Sequence, residues 1–330
     1  MVKPLSGKFP SLSGIGALIR QTISPESTTR VRTEPKRILI LANAASGAGR
    51  ALRRAERARA TLTEAGHEVE MLAPRAFTDD GAGSSPDLVV VSGGDGSIHH
   101  ALPRLIELGS PLYHLPAGTE NLVARSFSMT SDPRRLLGAI QRGRDLKIDL
   151  GTANGRPFAI MLSAGPDAGV IHRLAAKREG TITKLSYAGP VVKEAFSPRL
   201  VRASVSVDGR DAAGPEKRAI LLIANLRRYG AGLDPALLAS PHDGKLDMVW
   251  LPAKNAPKAL GWAIACRLRQ HGRLPASVFD TGSSMRIEFA EMPAILQADG
   301  EPIPSPDGGL LTIETLPGAL TLRVPPEHKD

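Results

Sequence analysis

The chain contains very little cysteine and no long apolar run. Cys266 is the one cysteine among 330 residues, so no disulfide can form within the chain, which fits a reducing compartment. It lies in GWAIACRLRQ among apolar neighbours, which predicts a small core residue rather than a nucleophile. No apolar stretch reaches the roughly 18 residues of a membrane span, and the N-terminus lacks the features of a signal peptide. We therefore expect a cytoplasmic protein.

Aromatic residues are also scarce, whereas positive charge is abundant. Phe, Trp and Tyr make up 4% of the chain, and the net charge is +9. No segment interleaves basic and aromatic residues as base-stacking proteins do, so we expect no nucleic-acid partner. The arginines cluster on two expected helix faces, at Arg50, Arg53, Arg54, Arg57 and Arg59 and at Arg134, Arg135, Arg142 and Arg144. Each cluster is either a solvated helix face or a surface attracted to anionic membrane lipid.

Two common nucleotide-binding motifs are missing, and a different glycine loop is present. The chain has no GxxxxGKS/T sequence and no GxGxxG followed by an acidic ribose ligand, which disfavours P-loop NTPases and dinucleotide oxidoreductases. Residues 87–97 are DLVVVSGGDGS. Leu88–Val91 predicts a buried parallel strand, and the glycines after it predict a loop whose bare N–H groups approach a phosphate. A helix starting near Ser97 would add its N-terminal N–H groups, and Asp95 indicates a bridging divalent cation.

Two further apolar runs end in loops of the same type. Ile38–Leu41 leads into NAASGAG at residues 43–49, and LYHLP leads into AGTEN at residues 117–121. Helical composition follows each loop. Alternating strands and helices predict right-handed βαβ units in a parallel sheet, with the loops at the carboxyl edge where such sheets bind ligands.

The composition also predicts how the chain divides. Residues 1–34 predict a flexible extension, within which Ile15, Leu18, Ile19 and Ile23 recur at the spacing of a short amphipathic membrane contact. Residues 35–149 predict the α/β domain. From residue 150 short β-like runs dominate, with helical intervals at 168–195 and 257–270, which predicts an antiparallel sandwich or barrel over 150–305.

Four motifs occur in an order typical of one family. They are GGDGS at 93–97, PAGTEN at 116–121, YGAGLDPALLASPHDGKLDM at 229–248 and ADGE at 298–301. Over residues 36–325 the chain resembles the diacylglycerol kinase catalytic-domain family, which includes sphingosine and ceramide kinases. The resemblance implies a doubly wound α/β nucleotide domain, similar to those of NAD kinases and phosphofructokinases, followed by a β-sandwich-like lipid-binding domain. It also implies that residues 306–330 return to the first domain.

The implied reaction is transfer of the γ-phosphate of ATP to a lipid hydroxyl, assisted by Mg²⁺. By resemblance, Glu301 is the proton acceptor, with Asp299 beside it. A carboxylate within hydrogen-bond reach of the attacking hydroxyl is a suitable general base. The nucleotide would contact Asn43, Ser46, Gly47, Gly93, Gly94, Asp95, Gly96, Ser97, Gly118, Thr119 and Asn121. Asp95 and Asp149 would reach the catalytic magnesium through water, and Asp243 with the carbonyl groups of Ser240 and Lys245 would hold a second, structural magnesium.

Several positions depart from the family pattern. Leu122 stands where many bacterial members carry an aspartate of the magnesium network, and leucine cannot coordinate a metal. Ser97 replaces the usual threonine but keeps the hydroxyl, and Pro166 gives GPDA in place of GFDA near the expected lipid entrance. His99 and His100 follow the phosphate loop, and we expect them to be structural.

Two rival functions stay open. A NAD kinase-like enzyme shares GGDG, and a nucleotide-binding regulator without turnover would be consistent with Leu122. The lipid is also open, because diacylglycerol, a sphingoid base, ceramide, phosphatidylglycerol and an isoprenoid alcohol all offer a hydroxyl beside apolar chains. We expect a lipid substrate at an anionic membrane surface, with the protein peripheral to the inner face. The oligomeric state is open, with a homodimer as one alternative.

Overall fold

A computed structural model describes residues 34–43, 47, 49–74, 77, 85–176 and 184–329. The predicted N-terminal extension, apart from Glu34, and Ser46 of the first loop lie outside these residues. Within the described ranges the α-helices are α1 (Arg50–Glu64), α2 (Asp95–Leu108), α3 (Leu122–Ser126), α4 (Pro133–Arg142), α5 (Pro166–Ala176), α6 (Ala188–Phe196) and α7 (Ala256–Arg267). The strands are β1 (Arg37–Ala42), β2 (Glu68–Leu72), β3 (Leu88–Gly93), β4 (Leu112–Pro116), β5 (Arg144–Ala153), β6 (Arg156–Phe158), β7 (Met161–Ala164), β8 (Ala203–Val207), β9 (Arg210–Ala213), β10 (Ala219–Ala224), β11 (Leu246–Pro252), β12 (Val278–Gly282), β13 (Ser284–Phe289), β14 (Leu296–Ala298), β15 (Glu301–Ile303) and β16 (Leu310–Val324).

The first four strands form a parallel sheet in the order β2-β1-β3-β4. β3 is buried along its whole length, as an unalternated apolar run requires when both faces of a sheet are covered. α1 buries Ala51, Ala55, Ala58 and Leu62, which recur at helical spacing. The chain leaves β1 toward β2 on one side and β3 lies on the other, so the carboxyl ends of β1 and β3 meet at a switch point, where ligands bind such sheets.

One long strand joins this sheet to the rest of the molecule. β16 runs parallel to β4 and antiparallel to β5 and β13, so a ten-stranded sheet extends through both halves. The two runs expected at the C-terminus, GLLTIETL and ALTLRVPP, are a single strand, because a register shift between Leu316 and Leu320 accommodates Pro317 and Gly318. The boundary expected at residue 149 falls inside β5, and residues 35–330 form one compact unit.

The second sheet is antiparallel, in the order β12-β11-β10-β7-β14-β15. It packs on the antiparallel part of the first sheet around a core that includes Leu221, Met248 and Ile287. This arrangement is the predicted β-sandwich. The sequence did not predict β9 and β12, because both are short and carry exposed polar residues such as Asp211 and Thr281.

α7 shows why the cysteine is part of the core. It buries Trp262, whose Nε1 donates to the carbonyl of Pro252 at 2.7 Å, together with Cys266. Burial raises the pKa of the Cys266 thiol to about 12. The prediction that Cys266 is a core residue rather than a nucleophile is therefore confirmed. Among the described helices, none has the length and apolar character needed to cross a bilayer.

Candidate active site

The GGDGS loop begins where β3 ends. Gly94 caps α2, whose first residue is Asp95, two positions before the predicted start at Ser97. A Cβ on Gly94 would lie 3.2 Å from the Cα of Gly118, and one on Gly118 would lie 2.6 Å from the Cα of Gly94. Two backbones therefore touch here, and only glycine permits the approach.

Asn121 holds the PAGTEN loop in shape. Its Oδ1 accepts from the N–H of Gly118 at 2.8 Å, and its Nδ2 donates to the carbonyl of Gly118 at 2.9 Å. Both ends of the amide therefore bind within its own loop. Thr119 lies between the two partners, and Asn43 follows the end of β1 at the same edge of the sheet.

The first loop is fixed by arginines of α1. Arg50 donates from Nε to the carbonyl of Gly47 at 2.8 Å, and Arg54 donates to the carbonyl of Pro116 in the third loop. Gly47 has φ +61°, and a Cβ there would lie 2.5 Å from the carbonyl oxygen of Ala117. Arg50 and Arg54 thus hold the loops. This role differs from both alternatives given for the first arginine cluster, a solvated helix face and a surface attracted to anionic lipid. The three predicted loops meet at one place.

Asp95 caps the helix that follows the third loop. Its Oδ2 accepts from the N–H of Leu122 at 2.9 Å and its Oδ1 from the N–H of Val123 at 3.1 Å. The negative charge suits the N-terminus of α3. Leu122 is buried in the core, so the position has a packing role here.

Asp149 is a buried anchor between two loops. Its Oδ2 accepts from the N–H of Gly244 at 2.7 Å and its Oδ1 from the N–H of Gly318 at 2.8 Å. Both oxygens of Asp95 and of Asp149 therefore bind backbone donors, whereas we expected them to face a shared magnesium. Their water-linked metal role stays a prediction, and the structure gives each a structural one.

The predicted second magnesium site lies in an exposed turn. Oδ1 of Asp243 accepts from the N–H of Lys245 at 3.0 Å, and both side chains are exposed, while Ser240 is partly buried. Burial, with the charge of Asp243, raises the pKa of nearby Asp247 to about 6. Across the described ranges, no three histidine, cysteine or acidic side chains are placed to hold a metal ion together.

Glu301 follows a tight hairpin and faces the phosphate loop. Asp299 (φ +52°) and Gly300 (φ +85°) form the two-residue turn between β14 and β15, as type I′ turns require positive φ at both positions. The Glu301 side chain is 14% exposed. A Cβ added to Gly96 would lie 2.5 Å from Oε1 of Glu301. The last motif of the chain therefore contacts the first.

Asp299 anchors this hairpin from a buried position. Its Oδ1 accepts from the N–H groups of Ile160 and Met161 at 2.8 and 3.1 Å, and its Oδ2 from the N–H of Ala159 at 2.8 Å. The side chain is 1% exposed. The structure gives Asp299 a positioning role, because its carboxylate is enclosed by donors, and the catalytic role expected for it stays a prediction.

The two histidines of α2 contact both acidic residues of the hairpin. Nδ1 of His99 lies 3.0 Å from Oδ2 of Asp299, and Nε2 of His100 lies 3.8 Å from Oε2 of Glu301. Burial lowers the pKa of His99, but the hydrogen bond to Asp299 and the charges of Asp299 and Glu301 outweigh it, so the pKa is raised. We expected only structural histidines. Their position in the helix that begins at the GGDGS loop was the one sequence signal that they lie near the site.

A polar network supports the hairpin from behind. Gln297 accepts from the N–H of Gly300 at 2.8 Å and donates to Oγ of Ser163 at 2.8 Å. Asp167, from the GPDA segment, accepts from Ser163 and from the hydroxyl of Tyr229 at 2.7 Å. Burial, and then the charge of Asp167, raises the pKa of Tyr229 well above its ordinary value. This network links the 229–248 motif to the turn that carries Glu301.

A cavity of about 350 Å³ opens beside the Glu301 carboxylate. Its lining includes His99, His100, Arg156, Ala298 and Ile303. The lining thus combines basic, imidazole and apolar groups. The site therefore brings together the GGDGS loop, the Glu301 carboxylate and a cavity beside it.

Comparison with known proteins identifies the family. Residues 37–153 match the model of the diacylglycerol kinase catalytic domain, and residues 160–324 match that of the YegS C-terminal NAD kinase beta sandwich-like domain. A diacylglycerol kinase of Mycobacterium tuberculosis is 30% identical over 244 residues, which cover 69% of this chain and 77% of the relative. A diacylglycerol kinase of Staphylococcus aureus is 23% identical over 277 residues, 81% of this chain and 86% of that relative.

The solved structures show the same fold. The crystal structure of a diacylglycerol kinase from Bacillus anthracis matches with a TM-score of 0.61 at 17% identity, covering 90% of this chain and 100% of that one. The fold and the loops define a kinase of the α/β-plus-sandwich class. The chain belongs to the diacylglycerol kinase catalytic-domain family, a family of lipid kinases. The resemblance drawn from the four motifs is confirmed.

Proposed function

We propose that this protein transfers the γ-phosphate of ATP to a hydroxyl group of a lipid. The observation that carries the proposal is the contact between the Glu301 carboxylate and the phosphate loop at Gly96, where a Cβ would lie 2.5 Å from Oε1. No side chain separates the two groups. An acceptor hydroxyl bound at Glu301 therefore lies beside a phosphate bound at the start of α2.

Backbone groups supply the nucleotide side of this site. The first turn of α2 presents the positive end of the helix dipole to an anion. The close approach of Gly94 and Gly118 leaves the loops free of side chains that would block a phosphate. Arg50 and Arg54 act one step further away, by fixing the carbonyl groups of the loops.

Glu301 acts as the general base in this proposal. It accepts the proton of the lipid hydroxyl while that oxygen forms a bond to the γ-phosphorus. The bond from phosphorus to the bridging oxygen breaks, and ADP leaves with its electron pair. His100 lies beside the carboxylate, and His99 holds the hairpin through Asp299. Both histidines are therefore positioning residues for the base.

The magnesium role of Asp95 and Asp149 stays a prediction, and the structure adds a structural role for each carboxylate. Kinases commonly use Mg²⁺ bound to the nucleotide phosphates to neutralise charge. Here the carboxylates of Asp95 and Asp149 are each bonded by two backbone N–H groups. We therefore assign no step to a magnesium held by these side chains.

The cavity limits what part of the acceptor enters the site. Its volume of about 350 Å³ is near the lower end of the roughly 300–1,000 Å³ of small-molecule pockets. That space suits a hydroxyl-bearing head group, whereas the apolar chains must remain outside. The reaction thus requires the protein to work at a bilayer surface, and we propose a peripheral location at the inner face.

A panel of acceptors tests the proposal. We expect labelled ATP to transfer its γ-phosphate to at least one of diacylglycerol, a sphingoid base, ceramide or phosphatidylglycerol. Transfer of the label to NAD would instead identify a NAD kinase. That alternative is kept because the C-terminal domain matches a NAD kinase beta sandwich-like model. ATP binding without label in any acceptor would identify a regulator without turnover.

A further inference from the structure

Two neighbouring helices carry an unusual share of exposed apolar side chains. Among the described residues eleven large apolar side chains are well exposed, and six of them lie on α6, on α7 or directly after α7. These six form what we call the α6–α7 apolar face: Val191, Val192, Phe196, Leu260, Ile264 and Leu268. They are between 49% and 83% exposed. Single exposed apolar residues are ordinary, but a clustered set marks an interaction surface.

The α7 part of this face is a continuous stripe. Leu260, Ile264 and Leu268 follow one another at intervals of four residues, so they lie on one side of the helix. The opposite side buries Trp262 and Cys266. A surface helix normally presents polar residues where this one presents the stripe.

The α6 part is held outward by a buried ion pair. Glu194 is 2% exposed and accepts from Nε of Arg173 on α5 at 2.8 Å and from the N–H of Arg199 at 3.1 Å. This anchoring turns Glu194 toward α5 and leaves Val192 and Phe196 on the outside. α6 also packs against α7, so the two helices that carry these side chains are neighbours.

Basic residues predominate in the segment that carries the α7 part of the face. No acidic residue occurs between positions 249 and 279, whereas five basic residues do: Lys254, Lys258, Arg267, Arg269 and Arg273. Of these, Arg269 pairs with Asp234 at 2.6 Å. On α6 the one acidic residue, Glu194, is buried, and Lys193 beside it is exposed. An apolar surface bordered by positive charge is complementary to a bilayer that contains anionic lipid.

The start of α6 lies close to the Glu301 site. A recess of about 20 Å³ is lined by Glu301, by Ile171 and Leu174 of α5 and by Tyr187, the residue before α6. The helix that carries part of the face therefore begins near the carboxylate, and the apolar chains of a lipid whose head group occupies the cavity would lie in the bilayer.

We propose that the α6–α7 apolar face docks on an anionic bilayer and presents the Glu301 site to lipids at its surface. The presentation of the Glu301 site to lipids rests on the proposed lipid kinase function. Binding of the face to a bilayer depends only on its apolar side chains and the basic residues around them.

Co-sedimentation of the full chain with vesicles tests the docking. We expect binding to vesicles that contain phosphatidylglycerol together with phosphatidylcholine, weaker binding to phosphatidylcholine alone, and a decrease as salt is raised. The double substitution Phe196→Ser with Ile264→Ser should weaken binding by at least about tenfold. Leu52→Ser, at an exposed apolar residue of α1, is the matched control and should change binding little.

A second pair of variants and an activity assay separate the possible outcomes. Lys193→Gln with Lys254→Gln should weaken binding to anionic vesicles on the order of tenfold and leave binding to neutral vesicles unchanged. The apolar double variant should keep its unfolding temperature, phosphorylate a short-chain acceptor dispersed in detergent, and lose activity on vesicles. A wild type that phosphorylates no acceptor would refute the proposed function but not the docking.

Two results would overturn the docking proposal. One is equal vesicle binding by the wild type and by the Phe196→Ser with Ile264→Ser variant. The other is a wild-type dimer, seen by sedimentation equilibrium, that these substitutions split while vesicle binding stays unchanged. In the second case the α6–α7 apolar face would be an interface between two copies of the chain.

Discussion

Replacing Gly96 with alanine should separate catalysis from stability. Gly96 lies in the first turn of α2, where alanine fits the helix and should raise the free energy of unfolding by about 0.5 kcal/mol. The new Cβ would lie 2.5 Å from Oε1 of Glu301, whereas ordinary contact begins near 3.4 Å. The carboxylate must therefore retreat by about 1 Å, and a displacement of that size at a reacting group costs on the order of 100-fold in rate.

Two assays on Gly96→Ala check this reasoning. Denaturant unfolding measures stability, and transfer of label from ATP to lipid measures the rate. Gly138→Ala is the control, since a Cβ at that position of α4 meets no atom closer than 3.6 Å. It should gain similar stability and keep the wild-type rate. A wild-type rate in Gly96→Ala, or a clear loss of its stability, would refute the account of the Glu301 contact.

The neighbouring contacts yield three further predictions. Because the pKa of His99 is raised in the folded state, the stability contributed by its protonated form is complete below the ordinary pKa of about 6.5 and is lost as pH rises through the raised value. Between about pH 6 and about pH 9, the free energy of unfolding should therefore fall more for the wild type than for His99→Gln. Equal falls for the two proteins would contradict the pairing of His99 with Asp299. Gly118→Ala places a Cβ 2.6 Å from the backbone of Gly94, so it should cost about 1–3 kcal/mol of stability and weaken ATP binding at least about tenfold by calorimetry; unchanged affinity would argue against this loop as a nucleotide site. Asp299→Asn should cost about 2 kcal/mol in denaturant unfolding, since an amide cannot accept at both ends, and wild-type stability would refute the anchoring role.

Local patterns were enough to predict the N-terminal half of the fold. Leu88–Val91 and Ile38–Leu41 are apolar runs that lead into loops containing glycines, and each loop is followed by a helical stripe, so strand, loop and helix follow from neighbouring residues. Strand pairing in the C-terminal half is set by distant residues. The sequence could not show that residues 310–324 form one strand that contributes to both core clusters, because its partners β4 and β5 lie far away in the chain.

The candidate site was predictable where a motif determines the local backbone conformation. The glycines of the GGDGS and PAGTEN loops form the tight loops that the motifs predict, and Glu301 follows a tight turn. The structure brings Gly96 and Glu301 into contact. The pairing of His99 with Asp299 joins residues 200 positions apart, which no local pattern records. Nor does sequence distinguish an aspartate that faces a ligand from one, such as Asp149, whose oxygens bind backbone N–H groups.

The most direct test of Glu301 as general base is the rate of label transfer by Glu301→Gln, which keeps the size of the side chain and removes its basicity. We predict a rate at least about a hundredfold below wild type, with ATP affinity unchanged. Glu107→Gln, at an exposed position of the same phosphate-loop helix, should keep the wild-type rate. Transfer to lipid by Glu301→Gln at the wild-type rate would contradict the proposed mechanism.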